Sequence, residues 1–178
     1  LVTTEAGGDT SVKVVLNSEP TSDVYIVLTS SDSSEGLAHS DSIRFTPKTW
    51  STEQNLTLIG QDDYVDEGDI EYSVIGVPRS NDPKYNSLSI FNLSATNKDN
   101  DSAAVNITPI TDLVTSEGGF SALFTIGLSS KPLSDVKIAV VSSDETEGKV
   151  SPSLLTFSSS AWGVDTVTVT GQMMVLMM

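Results

Sequence analysis

Residues 20–36, PTSDVYIVLTSSDSSEG, contain a clear strand pattern that returns later in the chain. Apolar side chains occupy alternate positions at Val24, Ile26 and Leu28, a period that predicts a β-strand with one face in a core. Residues 132–148, PLSDVKIAVVSSDETEG, repeat the segment with the same alternation. The chain therefore contains two copies of one strand-rich unit.

The two copies keep a constant offset of 112 residues, which holds at one acidic and two aromatic positions: Glu5 and Glu117, Phe45 and Phe157, Trp50 and Trp162. We predict repeat 1 at residues 1–100 and repeat 2 at residues 101–178. Residues 101–111, DSAAVNITPIT, have no counterpart before Leu1, and nothing after the second copy matches IEYSVIGV of the first. We therefore expect repeat 1 to lack its first strand and repeat 2 to be truncated at its C-terminal end, as in a window from a longer array.

Alternation of apolar and polar residues recurs through repeat 1 in short runs bounded by Gly, Pro, Asn, Asp and Ser, and no window has a helical period. Short strands at a spacing of about ten residues are typical of a sandwich of roughly 100 residues. The predicted fold is all-β, an immunoglobulin-like antiparallel β-sandwich in two tandem repeats, with Phe45 and Trp50 in or beside the core.

The composition argues against several classes of function. The chain has no cysteine, which excludes disulfides, thiolate zinc sites and cysteine nucleophiles. A formal net charge of -15 repels phosphate backbones and anionic membranes, so we expect no nucleic-acid partner. No apolar run is long enough to span a bilayer, so this segment is expected not to insert into a membrane. His39 is the single histidine and no nucleophile or metalloprotease motif is present, so we predict that the protein is not an enzyme.

Residues 60–69, GQDDYVDEGD, place five carboxylates between two predicted strands, and residues 98–101, KDND, follow the last strand of repeat 1. In hairpin order both segments reach the same end of the sandwich. Clustered carboxylates repel one another unless a cation lies among them. Calcium is the natural cation, because it accepts about six to eight oxygen ligands in flexible geometry, whereas zinc prefers His or Cys. Solvated turn residues of an acidic protein are the alternative.

The same segments resemble the Calx-β domains of sodium/calcium exchangers, integrin β4 and bacterial surface proteins. The resemblance covers essentially the whole repeat and rests on four motifs: TTEAGG at residues 3–8, TSSDSSEG at 29–36, DDYVDEGD at 62–69 and DND at 99–101. It implies an immunoglobulin-like domain that binds calcium through carboxylates at one end.

Carried over from that family, the metal ligands are Glu5, Asp32, Asp62, Asp66, Asp69, Asp99 and Asp101, the backbone carbonyl of Tyr64 and, at second rank, Asp63 and Asn100. The chain departs from the family pattern at three positions. Gln61 stands where the family often has Asp, Asp69 is shorter than the usual Glu, and Gly68 offers no carboxylate. These departures imply a weaker or smaller calcium cluster than that of the exchanger sensors.

We therefore expect a calcium-binding structural repeat module of a large extracellular or cell-surface protein. Calcium would stiffen the junction between repeats and support adhesion or assembly. Its partners would be neighbouring repeats of the same chain, together with other protein subunits or surface ligands. Two alternatives remain: a strand-exchange or filament-forming subunit whose incomplete sandwich pairs with a neighbour, and a calcium sensor that regulates an attached partner.

Repeat 2 keeps Glu117 and Asp144 but replaces the acidic loop by GQMMVLMM at residues 171–178, so we expect it to bind calcium poorly or not at all. We hypothesise that MMVLMM is an acidic loop translated in a shifted reading frame. Codons for Asp-Asp-Gly-Ser-Asp-Asp can give Met-Met-Val-Leu-Met-Met when they are read one base late.

Overall fold

The computed structural model describes residues 1–173, and its contacts divide the chain into two compact units. Unit 1 consists of Leu1–Asp63 and Glu67–Asn100, and unit 2 of Tyr64–Asp66 and Asp101–Met178. Residues 174–178 lie outside the described residues, and the hypothesis on MMVLMM therefore stays a prediction.

Unit 1 contains eight strands and one short helix: β1 (Val2–Thr4), β2 (Asp9–Val14), β3 (Val24–Ser30), β4 (Gly36–Ala38), β5 (Ser42–Phe45), β6 (Gln54–Gly60), β7 (Ile70–Ser80), α1 (Pro83–Asn86) and β8 (Phe91–Lys98). Five strands form one sheet in the order β1-β8-β7-β3-β5, and three form a second in the order β2-β6-β4. This arrangement confirms the predicted all-β sandwich. The neighbouring strands are antiparallel, except that β1 runs parallel to β8, which is a departure from the fully antiparallel prediction.

The two sheets of unit 1 enclose one core, because alternate side chains of each strand point to the same side of its sheet. Val24 of β3 and Leu56 and Leu58 of β6 are all at most 2% exposed and belong to the same cluster. Phe45 is fully buried among them, and Trp50 packs against the cluster while partly exposed. Both aromatic residues therefore pack in or beside the core.

Unit 2 contains the strands β9 (Val105–Thr108), β10 (Ser121–Leu128), β11 (Val136–Ala139), β12 (Gly148–Ser151), β13 (Leu154–Phe157) and β14 (Asp165–Gly171). Within the described residues they form a sheet in the order β12-β14-β10-β9 and a second sheet of β11 and β13. Its core is smaller and is made of Ile126, Leu155, Phe157 and Val167, each at most 3% exposed.

The helix α1 is a second departure, because the sequence pattern indicated no helix. The Asp82 carboxylate accepts a hydrogen bond from the backbone N–H of Lys84 at 2.9 Å, and Pro83 takes the first turn. Both are typical of a helix start, but a single turn is too short to produce a hydrophobic period. Among residues 1–173, no helix has the length and apolar character to cross a membrane.

Leu58→Ala and Leu37→Ala form a matched pair of truncations within the sheet of β2, β6 and β4. Leu58 is 0% exposed, so its truncation leaves a cavity in the core, and we expect the free energy of unfolding of unit 1 to fall by about 2–5 kcal/mol. Leu37 is 39% exposed, and its truncation is expected to change that energy by less than about 1 kcal/mol. Urea unfolding followed by tryptophan fluorescence measures both values, and equal losses would contradict the assignment of the core.

Candidate metal centre

The two ends of the acidic loop, residues 61–63 and 67–69, lie at the same end of unit 1 as the last residues of β8. β7 begins at Ile70, which stands opposite Asn97 of β8 in an antiparallel register. β6 ends at Gly60, so the chain leaves one sheet and enters the other through this loop. The loop side chains are therefore placed beside Asp99 and Asn100, which follow β8.

Three glutamates come together at this end of unit 1: Glu5 after β1, Glu35 before β4 and Glu67 before β7. Each offers a carboxylate oxygen within 4.8 Å of those offered by the other two. Glu5 is 4% exposed and Glu35 is 6% exposed, whereas Glu67 is exposed. Oxygen ligands lie about 2.3–2.6 Å from a calcium ion, so two of them can be separated by up to about 5 Å. The three carboxylates therefore fit the donor set and the spacing of a calcium ion.

The carboxyl of Glu35 has a raised pKa. Burial raises the pKa of its carboxyl above the ordinary value of 4.5, and the negative charges of Glu67 and, to a smaller extent, Asp32 add to the rise. A buried carboxylate close to others is stabilised by protonation or by a cation. The electrostatics of the cluster thus favour a bound positive charge.

Backbone contacts hold Glu35 and the acidic loop together. The N–H of Gln61 donates to the carbonyl oxygen of Glu35 at 2.9 Å, and the Asn97 Nδ2 donates to the carbonyl oxygen of Gln61 at 2.9 Å. Asn97 is 1% exposed, so this bridge is part of the interior. Gly36 follows Glu35, and a Cβ there would come within 2.2 Å of the Tyr72 ring. The glycine therefore allows the close approach on which the position of Glu35 depends.

Asn100 connects two of the predicted ligands. Its backbone N–H donates to the Glu5 Oε2 at 3.1 Å, and its side-chain Nδ2 donates to the Asp62 Oδ1 at 3.2 Å. The N–H of Glu5 in turn donates to the carbonyl oxygen of Lys98 at 3.1 Å. The structure thus brings Glu5, Asp62 and Asn100 together. Asp63, the residue after Asp62, also belongs to unit 1 and is half-buried.

Asp99 and Asp69 organise the turn that carries Glu67. The Asp99 Oδ2 accepts the backbone N–H groups of Glu67 at 3.1 Å and Gly68 at 2.6 Å. Gly68 has φ of 77°, which a glycine adopts without steric strain. Asp69 accepts the backbone N–H of Asp99 at 3.2 Å and forms an ion pair with Lys98, whose hydrogen bond lowers the pKa of the Asp69 carboxyl.

Asp32 is exposed and its carboxylate serves a local turn. The Asp32 Oδ1 accepts hydrogen bonds from the backbone N–H of Ser34, at 3.0 Å, and from the Ser34 hydroxyl. The hydroxyl hydrogen bond, followed by that of the backbone, lowers the pKa of the Asp32 carboxyl. Asp32 therefore stabilises the segment that presents Glu35, and its own role as a metal ligand stays a prediction.

The remaining predicted ligands belong to unit 2: Tyr64, Asp66 and Asp101. The carbonyl oxygen of Tyr64 accepts the backbone N–H of Lys131 at 2.6 Å. The Asp66 Oδ2 accepts the backbone N–H of Ala103 at 2.7 Å. The two predicted ligand groups of this segment are thus hydrogen-bonded within unit 2.

Two glutamates of the cluster, Glu35 and Glu67, are not among the ligands predicted from the sequence. Glu67 lies in the acidic loop, where the predicted side-chain ligands are the aspartates. Glu35 had a detectable signal, because the pair Glu-Gly ends the repeated segment in both copies, at residues 35–36 and 147–148. A Glu-Gly pair that occurs in both copies shortly after a buried strand indicates a glutamate whose carboxylate could be buried.

The counterparts of Glu5 and Glu35 in unit 2 are Glu117 and Glu147, and both are exposed. Within the described part of unit 2, no three acidic side chains gather as they do in unit 1. The expectation that repeat 2 binds calcium poorly stays a prediction. The same two glutamate positions are nevertheless buried in unit 1 and exposed in unit 2.

No family model and no curated protein sequence matches the chain. Several solved structures align with it distantly. CBD12 from CALX1.2 aligns with 96% of this chain and 72% of its own, at 12% identity and a TM-score of 0.38. The CsuC-CsuE chaperone-tip adhesion subunit pre-assembly complex of the Csu pili of Acinetobacter baumannii aligns over 99% and 86%, at 9% identity and a TM-score of 0.41. A protein of unknown function from Porphyromonas gingivalis W83 aligns over 96% and 78%, at 11% identity and a TM-score of 0.36.

Glu35→Gln removes a carboxyl whose pKa is raised in the folded protein, and this predicts a pH-dependent gain in stability. A group of this kind contributes stability below its unfolded pKa, near 4.5, and loses it as the pH rises through its folded pKa. In the presence of a chelator, the variant should therefore become progressively more stable than the wild type as the pH is raised above 4.5. Urea unfolding of both proteins over a pH series measures the difference.

Glu147→Gln is the matched control, because it removes the exposed counterpart in unit 2. Its stability curve should run parallel to that of the wild type across the same pH series. A parallel curve for Glu35→Gln as well would show that the Glu35 carboxyl is not held at a raised pKa.

Proposed function

We propose that unit 1 is a calcium-binding structural module. The observation that carries the proposal is the cluster of Glu5, Glu35 and Glu67, in which two carboxylates are buried and all three offer oxygens within 4.8 Å of one another. Carboxylates at this spacing repel one another when ionised. A calcium ion would remove this repulsion and replace the hydration that burial takes away.

Further ligands for the ion would come from the residues that already surround the cluster. Asn100 contacts Glu5 through its backbone N–H and Asp62 through its side chain, and Asp99 contacts the backbone of Glu67. Small rotations of these side chains would exchange hydrogen bonds for metal ligation. Asp69, held by Lys98, would support the turn without ligating the ion.

The proposed location is the cell surface or the extracellular medium. Extracellular modules bind calcium with dissociation constants of about 10⁻⁴–10⁻³ M, so their sites are filled only where calcium is abundant. A cluster whose aspartates are partly engaged with backbone N–H groups would belong to this weak class. Its role would be to stabilise a repeat of a larger adhesive or assembling protein, with neighbouring repeats as partners, and no catalytic role is proposed.

Calcium is expected to raise the melting temperature of unit 1 in the wild type. At about 100 times its dissociation constant, an ion that binds only the folded state adds about 2.7 kcal/mol to the free energy of unfolding. Glu35→Gln should lose most of this increment, because it removes one of the two buried carboxylates of the cluster. Thermal unfolding of wild type and variant, each with calcium and with chelator, measures the increments.

The matched control is again Glu147→Gln in unit 2, which should keep the full increment. Magnesium at the same concentration should give a smaller increment, because it favours stricter octahedral geometry. A wild type whose melting temperature is the same in calcium and in chelator would refute the proposal.

A further inference from the structure

The two arginines of the chain lie on either side of one exposed tyrosine. Arg44 of β5 and Arg79 of β7 each stand directly opposite Tyr25 of β3 in an antiparallel register. Residues that stand opposite one another in adjacent strands share a face of the sheet, with their Cβ atoms about 4.5–5.5 Å apart. All three residues are exposed, and Tyr25 leaves 40% of its surface in water. The outer face of this sheet thus presents an aromatic ring between two guanidinium groups.

This placement of both arginines contrasts with the composition of the chain. The formal net charge is -15, and the other basic side chains are lysines. Arginine differs from lysine because its planar fork binds a carboxylate through two hydrogen bonds and stacks on aromatic rings. In repeat 2, the offset of 112 residues places Lys137 and Thr156 at the positions of Tyr25 and Arg44, and they pair in the same register. The register of these strands therefore forms without the tyrosine or the arginine.

The two guanidinium groups differ in their partners. Arg44 donates to the Asp23 Oδ2 from its Nε at 3.0 Å and from its Nη2 at 2.6 Å, and its Cζ lies 5.8 Å from the centroid of the Tyr25 ring. Arg44 is thereby held against both side chains. Among residues 1–173, no carboxylate forms an ion pair with Arg79. Arg79 is therefore the guanidinium that can bind an anionic group of a ligand.

An open cavity of about 740 Å³ lies beside the tyrosine, within the range of about 300–1,000 Å³ that is typical of small-molecule sites. It is lined by Asp23, Tyr25 and Arg79, and by Asn81 and Asn86, all of which belong to unit 1. A side-chain amide offers two donors and an acceptor, which match the hydroxyl groups of a ligand. The cavity thus combines an aromatic surface, a cation and neutral hydrogen-bonding groups.

Hydrogen bonds hold the wall of this cavity in place. The Asp82 carboxylate, in a residue that is 4% exposed, accepts the backbone N–H of Thr21 at 2.8 Å and its hydroxyl at 2.9 Å. The Ser80 hydroxyl donates to the carbonyl oxygen of Asp23 at 2.8 Å and accepts the backbone N–H of Asp82 at 3.0 Å. Residues 21–23 are thereby joined to the segment that follows β7. A wall that is already ordered loses little conformational entropy when a ligand binds.

We propose that this cavity binds a saccharide residue that carries a carboxylate. The carbon-bound hydrogens of a pyranose ring form an apolar face, which would pack against the exposed part of the Tyr25 ring. The carboxylate would accept hydrogen bonds from Arg79, and hydroxyl groups would bond to Asn81 and Asn86. A neutral saccharide would leave Arg79 without an anion, and a small anion would leave the ring uncovered. The combination therefore favours a uronate or a sialate, which share this chemistry.

The negative net charge of the chain is compatible with an anionic ligand at this position. At physiological ionic strength the Debye length is about 8 Å, so distant carboxylates are largely screened. Asp23 and Arg79 are the charged residues that line the cavity in the described part of the chain, and Asp23 is paired with Arg44. The local charge is therefore positive.

The test is an NMR chemical-shift titration of the whole chain with methyl glucuronide and with N-acetylneuraminate. Methyl glucoside tests the ring without the carboxylate, and acetate tests the carboxylate without the ring. Chelator is present throughout, so that the result is independent of the calcium proposal. At least one acidic saccharide should give saturable shifts at Tyr25 and Arg79, and should bind about tenfold more tightly than methyl glucoside or acetate. The acidic saccharide with the lower dissociation constant identifies the source of the carboxylate.

Two substitutions separate the contributions of the cation and the ring. Arg79→Gln should weaken binding of the acidic saccharide about tenfold, because it removes the charged hydrogen bonds to the carboxylate. Tyr25→Ala should abolish the saturable shifts, whereas Tyr25→Phe should keep them, because the ring and not the hydroxyl packs against the saccharide. Both side chains are exposed, so the variants should fold, and their melting temperatures check this.

Lys137→Ala is the matched control, because Lys137 is the exposed counterpart of Tyr25 in unit 2, and it should bind the acidic saccharide as the wild type does. The absence of saturable shifts at Tyr25 with both acidic saccharides would overturn the proposal. Equal affinity for methyl glucoside or for acetate would do the same, as would an Arg79→Gln variant that binds the acidic saccharide as tightly as the wild type.

Discussion

The burial of one face of every strand is the constraint on which the rest of unit 1 depends. Val24, Leu58 and Val74 come from different strands and are each at most 1% exposed. A shift of register by one residue would turn such side chains to the solvent, so the pairing of each strand is fixed. The fixed register decides which residues stand where strands end, and it places Ile70 opposite Asn97 where the acidic loop enters its sheet. The carboxylate cluster is thus positioned by the core.

The core and the cluster act in opposite directions on stability. The core favours folding, whereas Glu5 and Glu35 are buried beside Glu67 with like charge. Polar contacts keep them there: the bridge from Glu35 through Gln61 to Asn97 fixes the backbone independently of the charge on the carboxylates. Unit 1 can therefore fold around the cluster and then gain stability when a proton or a cation neutralises the carboxylates.

The fold could be predicted largely because apolar and polar side chains alternate in the long strands. Val24, Ile26 and Leu28, which follow this alternation, are each at most 8% exposed. Short elements could not be predicted. β1 has three residues and no period, so its parallel pairing with β8 depends on contacts distant in sequence. The charge of the acidic loop predicted the end of unit 1 at which Glu5, Glu35 and Glu67 gather. The hydrogen bonds that engage Asp32 and Asp99 in turns depend on backbone geometry that the sequence does not display.

The two repeats show what a motif contributes and what it does not. Both contain the pair Glu-Gly after a strand, and in both a glutamine N–H, from Gln61 or Gln172, donates to the carbonyl oxygen of that glutamate at 2.9 Å. Yet Glu35 is buried and Glu147 is exposed. In unit 1, β8 pairs with β1; Asn97 in β8, and Asp99 and Asn100 after it, contact the segments that carry the glutamates. No described strand of unit 2 takes that place. Burial of Glu35 therefore goes with the contacts that β8 and the residues after it supply in unit 1, and the motif alone does not produce the candidate site.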